Sequence, residues 1–144
     1  MIHYSSHPDL YKVMEMFSQM SQEDKKFLFF DNQQFFTKLT KLHYKIIKGQ
    51  SLMLINDDGK TIGFVTIDLE NDEQLFITEL FIADKFRKGS LPILLEMFAE
   101  LKKYLRPIHF ITHLENLRMQ KLARFVNAQV VRNKDVRVEY VIHI

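Results

Sequence analysis

The sequence predicts an α+β fold in which a mixed, mostly antiparallel sheet is flanked by helices. Apolar residues recur at three- and four-residue spacing before Ser51, and from Ser51 the period changes to two through three consecutive strands. Helical and extended patterns then alternate to the C-terminus. Because the 144 residues contain no internal repeat, linker or low-complexity tract, we expect one domain over residues 1–144.

The N-terminal part predicts a short strand followed by helices. Residues 2–4 can form the strand, and residues 6–9 are typical of a helix start, with Ser5 or Ser6 as cap and Pro8 in the first turn. We expect this helix to end near Met20. Its apolar face is predicted to contain Leu10, Val13, Met14 and Phe17.

A second cap at residues 21–24 begins a helical segment that runs to about Lys48 and is interrupted near Asp31 and Asn32. Its phenylalanines, between Phe27 and Phe36, are too many for one narrow stripe. We expect them to pack in the core, with the lining of a pocket as the alternative. Four lysines of the same segment recur on one helical face that we expect to be solvated: Lys38, Lys41, Lys45 and Lys48.

The rest of the chain predicts a meander of three strands and then helices that alternate with strands. Polar turns at 56–59 and 70–73 separate strands starting at residue 51, at 61–69 and at 75–83. A helix at 91–105, a strand at 108–113 and a helix at 115–126 follow. Two last strands, at 129–132 and 136–144, are joined by a turn at 133–135.

The junction between the strand at 75–83 and the next helix is a candidate anion site. Arg87, Lys88 and Gly89 lie there. The first turn of a helix has backbone N–H groups without partners and the positive end of the helix dipole, so it attracts phosphate. The alternative is a strand, a turn and a helix that only pack together.

Composition excludes several classes of function. A net charge of +2, from 20 basic and 18 acidic residues, gives no nucleic-acid signal, and the absence of cysteine excludes thiolate chemistry and disulfides. No apolar run is long enough for a membrane span, and no secretory signal is visible, so we expect a cytoplasmic protein. The histidine spacing indicates no metal site, and no GxSxG motif indicates a serine hydrolase.

Two stretches of the sequence resemble the Gcn5-related N-acetyltransferases, the GNAT superfamily. Residues 82–90, Ile-Ala-Asp-Lys-Phe-Arg-Lys-Gly-Ser, are similar to the strand end and the start of the Arg/Gln-x-x-Gly-x-Gly/Ala loop. Residues 116–128 are similar to the family's asparagine-led helix, with Asn116 and Leu122 matching by position and type. The predicted order of elements resembles the whole family fold.

The resemblance implies acetyl transfer from acetyl-CoA, the cosubstrate, to an amine of a small molecule or a protein. It implies that the strand end holds the thioester, that the loop holds the pyrophosphate, and that Asn116 caps its helix while its amide holds the pantetheine arm. A helix cap without a ligand is the alternative for Asn116. The cofactor-binding residues are then Phe81, Ile82, Arg87, Lys88, Gly89, Ser90 and Asn116. A homodimer is left open.

Two residues are candidates for proton transfer. Glu79 shares a strand face with Phe81, and a carboxylate among apolar neighbours is expected to have a raised pKa, which suits a general base. A solvated or salt-bridged glutamate is the alternative. His113 ends the next strand close to Asn116 and is a candidate acid, substrate contact or polar strand end.

The sequence also departs from the family pattern. The loop after Arg87 is one residue short, Pro92 brings no N–H, and Ala123 stands where the family often has a tyrosine acid. These departures favour a second reading: a binding or structural protein that keeps the fold without the chemistry. A small phage-encoded protein, in the virion or acting on the host, would be one example.

Overall fold

The computed structural model describes residues 2–4 and 7–143, with side chains from residue 11 onward. Five α-helices occur in the described part of the chain: α1 (His7–Ser18), α2 (Gln22–Phe27), α3 (Phe35–Ile47), α4 (Leu91–Lys102) and α5 (Leu117–Phe125). The same residues contain seven strands: β1 (Ile2–Tyr4), β2 (Ser51–Ile55), β3 (Thr61–Asp68), β4 (Leu75–Ile82), β5 (Ile108–His113), β6 (Gln129–Lys134) and β7 (Arg137–Ile142). No helix among these residues is long and apolar enough to cross a membrane.

The seven strands form one sheet in the order β1-β2-β3-β4-β5-β7-β6. All neighbours are antiparallel except β4 and β5, which are parallel. The predicted α+β class with a mixed, mostly antiparallel sheet is therefore confirmed.

The core has two layers, one on each face of the sheet. On one face α4 and α5 cover a cluster that includes Met97, Leu101 and Ala123. On the other face α1 and α3 cover a cluster that includes Phe17 and Leu42. The central strands are covered on both faces, as β2 shows: Leu52 and Leu54 belong to the first cluster, and Met53 and Ile55 belong to the second.

Several predicted boundaries are confirmed by capping contacts. Ser21 caps α2 through a reciprocal capping box with Asp24, and Asp31 caps a short 3-10 turn through a similar box with Gln34. The helical segment between Ser21 and Lys48 is therefore broken where the sequence predicts. Asn116 caps α5, accepting a hydrogen bond of 3.3 Å from the N–H of Met119.

Other predicted details are wrong. Met14 is 38% exposed, so the buried face of α1 is narrower than the spacing suggests. Helix α4 ends at Lys102 rather than near residue 105. Leu105 has a φ of +56°, which lies outside the right-handed helical region, so the helix cannot include it. The last hairpin turns at residues 135–136, because β6 extends to Lys134. The predicted cap at Ser5 or Ser6 and the predicted strand end at residue 144 lie outside the described residues.

A β-bulge at Thr78 decides the shape of the sheet. Ile67 pairs with Ile77, but its neighbour Thr66 pairs with Glu79, so Thr78 is the extra residue. Strands β4 and β5 pair over only three positions, from Leu75 opposite Ile108 to Ile77 opposite Phe110. Their paired stretch ends where the bulge begins, so the strands diverge beyond it and leave a groove in the sheet.

Candidate functional site

The groove between the diverging strands is lined by β4, β5 and residues packed over them. From the sheet come Ile77, Thr78, Leu80, Phe110, Ile111 and Thr112; from α4, α5 and the cap of α5 come Phe98, Met119 and Asn116; and from the end of α2 and the turn after it come Phe27, Leu28 and Phe29. The free volume is only about 40 Å³, room for a few water molecules. Most of the groove lining is therefore apolar, and little free space is left inside it.

Two polar groups in this groove have unused hydrogen-bonding capacity. The hydroxyl of Thr112 is buried and has no hydrogen-bond partner among the described residues. The side-chain oxygen of Asn116 caps α5. Its side-chain amide nitrogen has no hydrogen-bond acceptor among the described residues. Buried polar groups are normally paired, so an orphaned hydroxyl and a free amide that line the same groove are what an amide-containing ligand would satisfy.

The free edge of β4 presents backbone donors to the same side. The N–H of Ala83 donates to the carbonyl of Ile62 on β3 at 2.8 Å. Because N–H directions alternate along an antiparallel ladder, the N–H groups of Ile82 and Leu80 point away from β3, toward β5. Phe81 points the opposite way, and its buried ring packs with Phe64 beneath α1 and α3, outside the groove lining.

The turn from β4 into α4 and the first turn of α4 contain further unpaired donors. The N–H groups of Lys88, Gly89, Leu91 and Ile93 have no acceptor within the described structure. Gly89 has a φ of +81°, which suits glycine, and Ser90 uses its hydroxyl to donate to the Arg87 carbonyl at 2.8 Å rather than to cap the helix. Lys88 is exposed. The geometry fits an anion, even though Pro92 supplies no N–H.

Arg87 is predicted to bind phosphate, but its side chain makes hydrogen bonds within the protein. Its guanidinium donates to Asp24 of α2 at 2.6 Å, to Asp84 at 3.2 Å and to the carbonyl of Ile82 at 2.9 Å. It also lies over the ring of Phe81, 5.6 Å from its centroid. The side chain therefore connects the turn before α4 to α2 across the end of the sheet.

Glu79 lies at the centre of a buried ionic cluster. Its carboxylate is 2.9 Å from Lys38 Nζ and 3.2 Å from Lys45 Nζ, and it accepts hydrogen bonds from the hydroxyls of Thr66 and Thr78. Burial pushes the pKa of Glu79 upward, but the lysines and threonines outweigh burial and bring it down to about 2. The expected raised pKa is wrong, because two lysines predicted to be solvated turn toward the sheet.

His113 is buried at the end of β5 between aromatic rings. Its ring centroid is 5.5 Å from that of Phe27 and 5.8 Å from that of Phe29. The Nδ1 atom accepts a hydrogen bond of 3.0 Å from the N–H of Glu115, so in the neutral ring the proton is on Nε2. His113 is thus held as a donor close to Asn116, which caps the next helix.

Some residues of this site could not be found from the sequence. Thr112 carries no motif, and only strand alternation from Phe110, two residues earlier, would place it on the groove side. Lys38 and Lys45 are seven residues apart, so they share a helical face, but their shared partner is 34 residues beyond Lys45. No group of three or more metal-binding side chains occurs among the described residues.

Comparison with known proteins supports the fold. No protein-family model and no curated protein matches the sequence. Among solved structures, PaiA N-acetyltransferase from Thermoplasma acidophilum in complex with coenzyme A superposes with a TM-score of 0.79 at 14% identity, covering 100% of this chain and 98% of that one.

Two further solved structures agree with this likeness. The GNAT-family acetyltransferase from Listeria monocytogenes gives a TM-score of 0.72 at 14% identity, covering 100% of this chain and 94% of that one. Spermidine N-acetyltransferase from Vibrio cholerae, in complex with coenzyme A and spermine, gives 0.73 at 14% identity, with coverages of 98% and 92%. The chain has the fold of the GNAT acetyltransferases.

Proposed function

We propose that this protein transfers an acetyl group from acetyl-CoA to an amine. The observation that supports this most directly is the groove where β4 and β5 diverge, with unpaired donors along its edge and at its end. Solved proteins of the same fold are described with coenzyme A bound. Fold alone does not give function, so the proposal depends on these groups.

Each part of coenzyme A would find a matching group. The amide-rich pantetheine arm would lie in the groove between Thr112 and Asn116. The pyrophosphate would meet the N–H groups of Lys88, Gly89 and Leu91 and the positive end of α4. Lys88 is exposed beside them and would add charge, as would Arg87 if it left Asp24.

The bound cosubstrate would supply an activated acetyl group. The N–H of Ile82, on the free edge of β4, would hold and polarise the thioester oxygen. His113 presents Nε2–H and would donate a proton to the departing sulfur. Glu79 is ionised at neutral pH and stays our candidate for taking the amine proton, directly or through water, although its low pKa makes it a weak base.

Titration with acetyl-CoA tests the proposal. Ligand at about 100 times its Kd should stabilise the fold by about 2.7 kcal/mol, which calorimetry or thermal denaturation would detect. Lys88→Gln should raise Kd about two- to fivefold, as expected for one exposed charge on a phosphate. Lys85→Gln is the matched control, because Lys85 is exposed on the same turn but lies over Phe86.

A second candidate function is supported by specific observations. Arg87 is held by Asp24, the groove is nearly full, and Ala123 is buried where the family often has a tyrosine. These features suit a protein that keeps the fold for binding, such as a phage virion or host-interaction protein. If acetyl-CoA at millimolar concentration neither binds nor acetylates any amine in a broad panel, this second function replaces the first.

A further inference from the structure

The segment from α2 through Phe30 crosses the mouth of the groove. Phe27 and Phe29 pack against His113, and Leu28 lies between them in the groove lining. With about 40 Å³ free, a pantetheine arm has no room while this segment is in place. We call residues 22–30 the strap.

The strap is built from weakly stable parts. Helix α2 has six residues, none of them buried, and a helix of that length is marginal by itself. It ends in a Schellman motif. The N–H of Phe29 donates to the carbonyl of Lys26, and the N–H of Phe30 donates to the carbonyl of Lys25, both at 3.0 Å.

Phe29 stands where such motifs normally have glycine. Its φ is +63°, an unfavourable conformation for a bulky side chain. The strain is offset by contacts of the ring with His113 and with the Arg137 guanidinium, 4.5 Å from the ring centroid. A strained turn held by contacts in the groove can open when those contacts are displaced.

Charged contacts fix the strap at both sides of the groove. Lys26 pairs with Glu115 in the connection after β5, but both side chains are more than half exposed, so this pair contributes little. Asp24 pairs with Arg87 in the turn before α4 at 2.6 Å, and these side chains are 11% and 22% exposed. The Asp24–Arg87 pair is the stronger attachment.

Arg87 has two possible anionic partners. It directly precedes Lys88 and Gly89, whose unpaired N–H groups are where a phosphate would bind. Both a carboxylate and a phosphate can bind a guanidinium in bidentate geometry, so a phosphate bound at this turn competes with Asp24 for Arg87.

We propose that the strap is a gate, and that a phosphate arriving at the turn before α4 opens it by taking Arg87 from Asp24. This inference rests on the coenzyme A site proposed above. It makes Asp24 an inhibitory residue, because its carboxylate competes with the ligand for the same guanidinium. Removing that charge should open the strap and strengthen binding.

The absence of cysteine makes the opening measurable. Leu28→Cys introduces a single thiol on the strap, and its rate of reaction with a maleimide reports exposure. In this background Asp24→Asn should raise the rate about fivefold without ligand, the effect expected from losing one partly buried ion pair. Acetyl-CoA, which has no free thiol, should raise the rate when Asp24 is present.

The same substitution should lower the Kd for acetyl-CoA about three- to tenfold by calorimetry. Asparagine keeps an oxygen that can accept from the Ser21 N–H, so the cap of α2 is retained. The matched control is Asp31→Asn, which makes the same change at another capping aspartate, one that is exposed and outside contact with Arg87.

The outcomes separate the two proposals. An unchanged labelling rate in Asp24→Asn overturns the gate whether or not acetyl-CoA binds. A raised rate with no acetyl-CoA binding in any variant overturns the proposed function and the phosphate trigger together. If Leu28→Cys does not fold, hydrogen exchange of the Phe29 and Phe30 amides gives the same comparison in the otherwise unmodified chain.

Discussion

Lys45 and Glu79 form an ion pair of 3.2 Å between α3 and the bulged part of β4. Lys45 also donates to the hydroxyl of Thr78 at 2.7 Å, so one ammonium group satisfies both residues of the bulge. Since Thr78 is the extra residue that ends the pairing of β4 with β5, the ion pair stabilises the bend that opens the groove. A buried charge cluster is thus part of the shape of the site.

Replacing Glu79 by glutamine should destabilise the fold in a pH-dependent way. The pKa of Glu79 falls from its ordinary value of 4.5 to about 2 on folding, so the carboxylate stabilises the fold above pH 4.5 and this is lost as the pH falls toward 2. The full effect is about 3 kcal/mol. Urea denaturation of Glu79→Gln should show that loss at pH 7 and a smaller loss near pH 3. Glu73→Gln, on an exposed turn, is the control.

The same variant tests the catalytic role of Glu79. If it is the base, turnover falls in Glu79→Gln while acetyl-CoA still binds. Full turnover in a folded variant would remove Glu79 from the chemistry and leave it as the stabiliser of the bulge.

Gly63→Ala should destabilise the central sheet. A Cβ at this position would lie 2.1 Å from the carbonyl oxygen of Phe81 and 2.9 Å from the Ile82 side chain, so β3 and β4 would have to move apart. We expect a loss of about 2–4 kcal/mol in urea denaturation. Gly59→Ala, where the added carbon meets nothing within 4 Å but φ is +78°, should cost about 1 kcal/mol. Equal losses in the two variants would contradict the steric explanation.

Thr112→Val should separate binding from stability. The hydroxyl has no partner in the described structure, so removing it should leave the free energy of unfolding unchanged or slightly higher. If it bonds the pantetheine arm, the Kd for acetyl-CoA should rise about three- to tenfold in calorimetry. Thr40→Val, on the exposed surface of α3, should leave Kd unchanged. A stable Thr112→Val variant with wild-type affinity would exclude the hydroxyl from the site.

His113→Asn should lower turnover more than binding. Asparagine can still accept from the Glu115 N–H, but it lacks the Nε2–H group proposed as the acid. We expect kcat to fall about 100-fold, with the Kd for acetyl-CoA within a few fold of wild type. His109→Asn, on the same strand beside Phe76, is the control. A parallel loss of kcat and affinity would instead indicate a packing role beside Phe27 and Phe29.

The sequence predicts the elements well because their signals are local. The cap at Ser21, the break near Asp31 and the Asn116 cap each depend on residues within one helical turn, and all three are confirmed. The strands β2 to β4 are also predicted, although only β4 has alternating burial, because β2 and β3 are covered on both faces.

The charge pattern of the site was not predictable, because it depends on tertiary contacts. From the apolar neighbours of Glu79 on β4 the sequence predicts a raised pKa, but the partners of this carboxylate come from α3 and β3. The sequence also predicts that Arg87 faces a ligand, but Asp24, 63 residues earlier, binds it. Neither partner is visible from spacing along the chain.

The short pairing of β4 with β5 has a mechanical consequence. Three residue pairs join β1–β4 to β5–β7, so the sheet consists of two well-paired halves meeting along a brief seam. A molecule in the groove would contact both halves in the region where β4 and β5 no longer pair. The bound ligand would then continue the line of contacts that the three residue pairs begin. It would join the two halves of the sheet where the backbone does not.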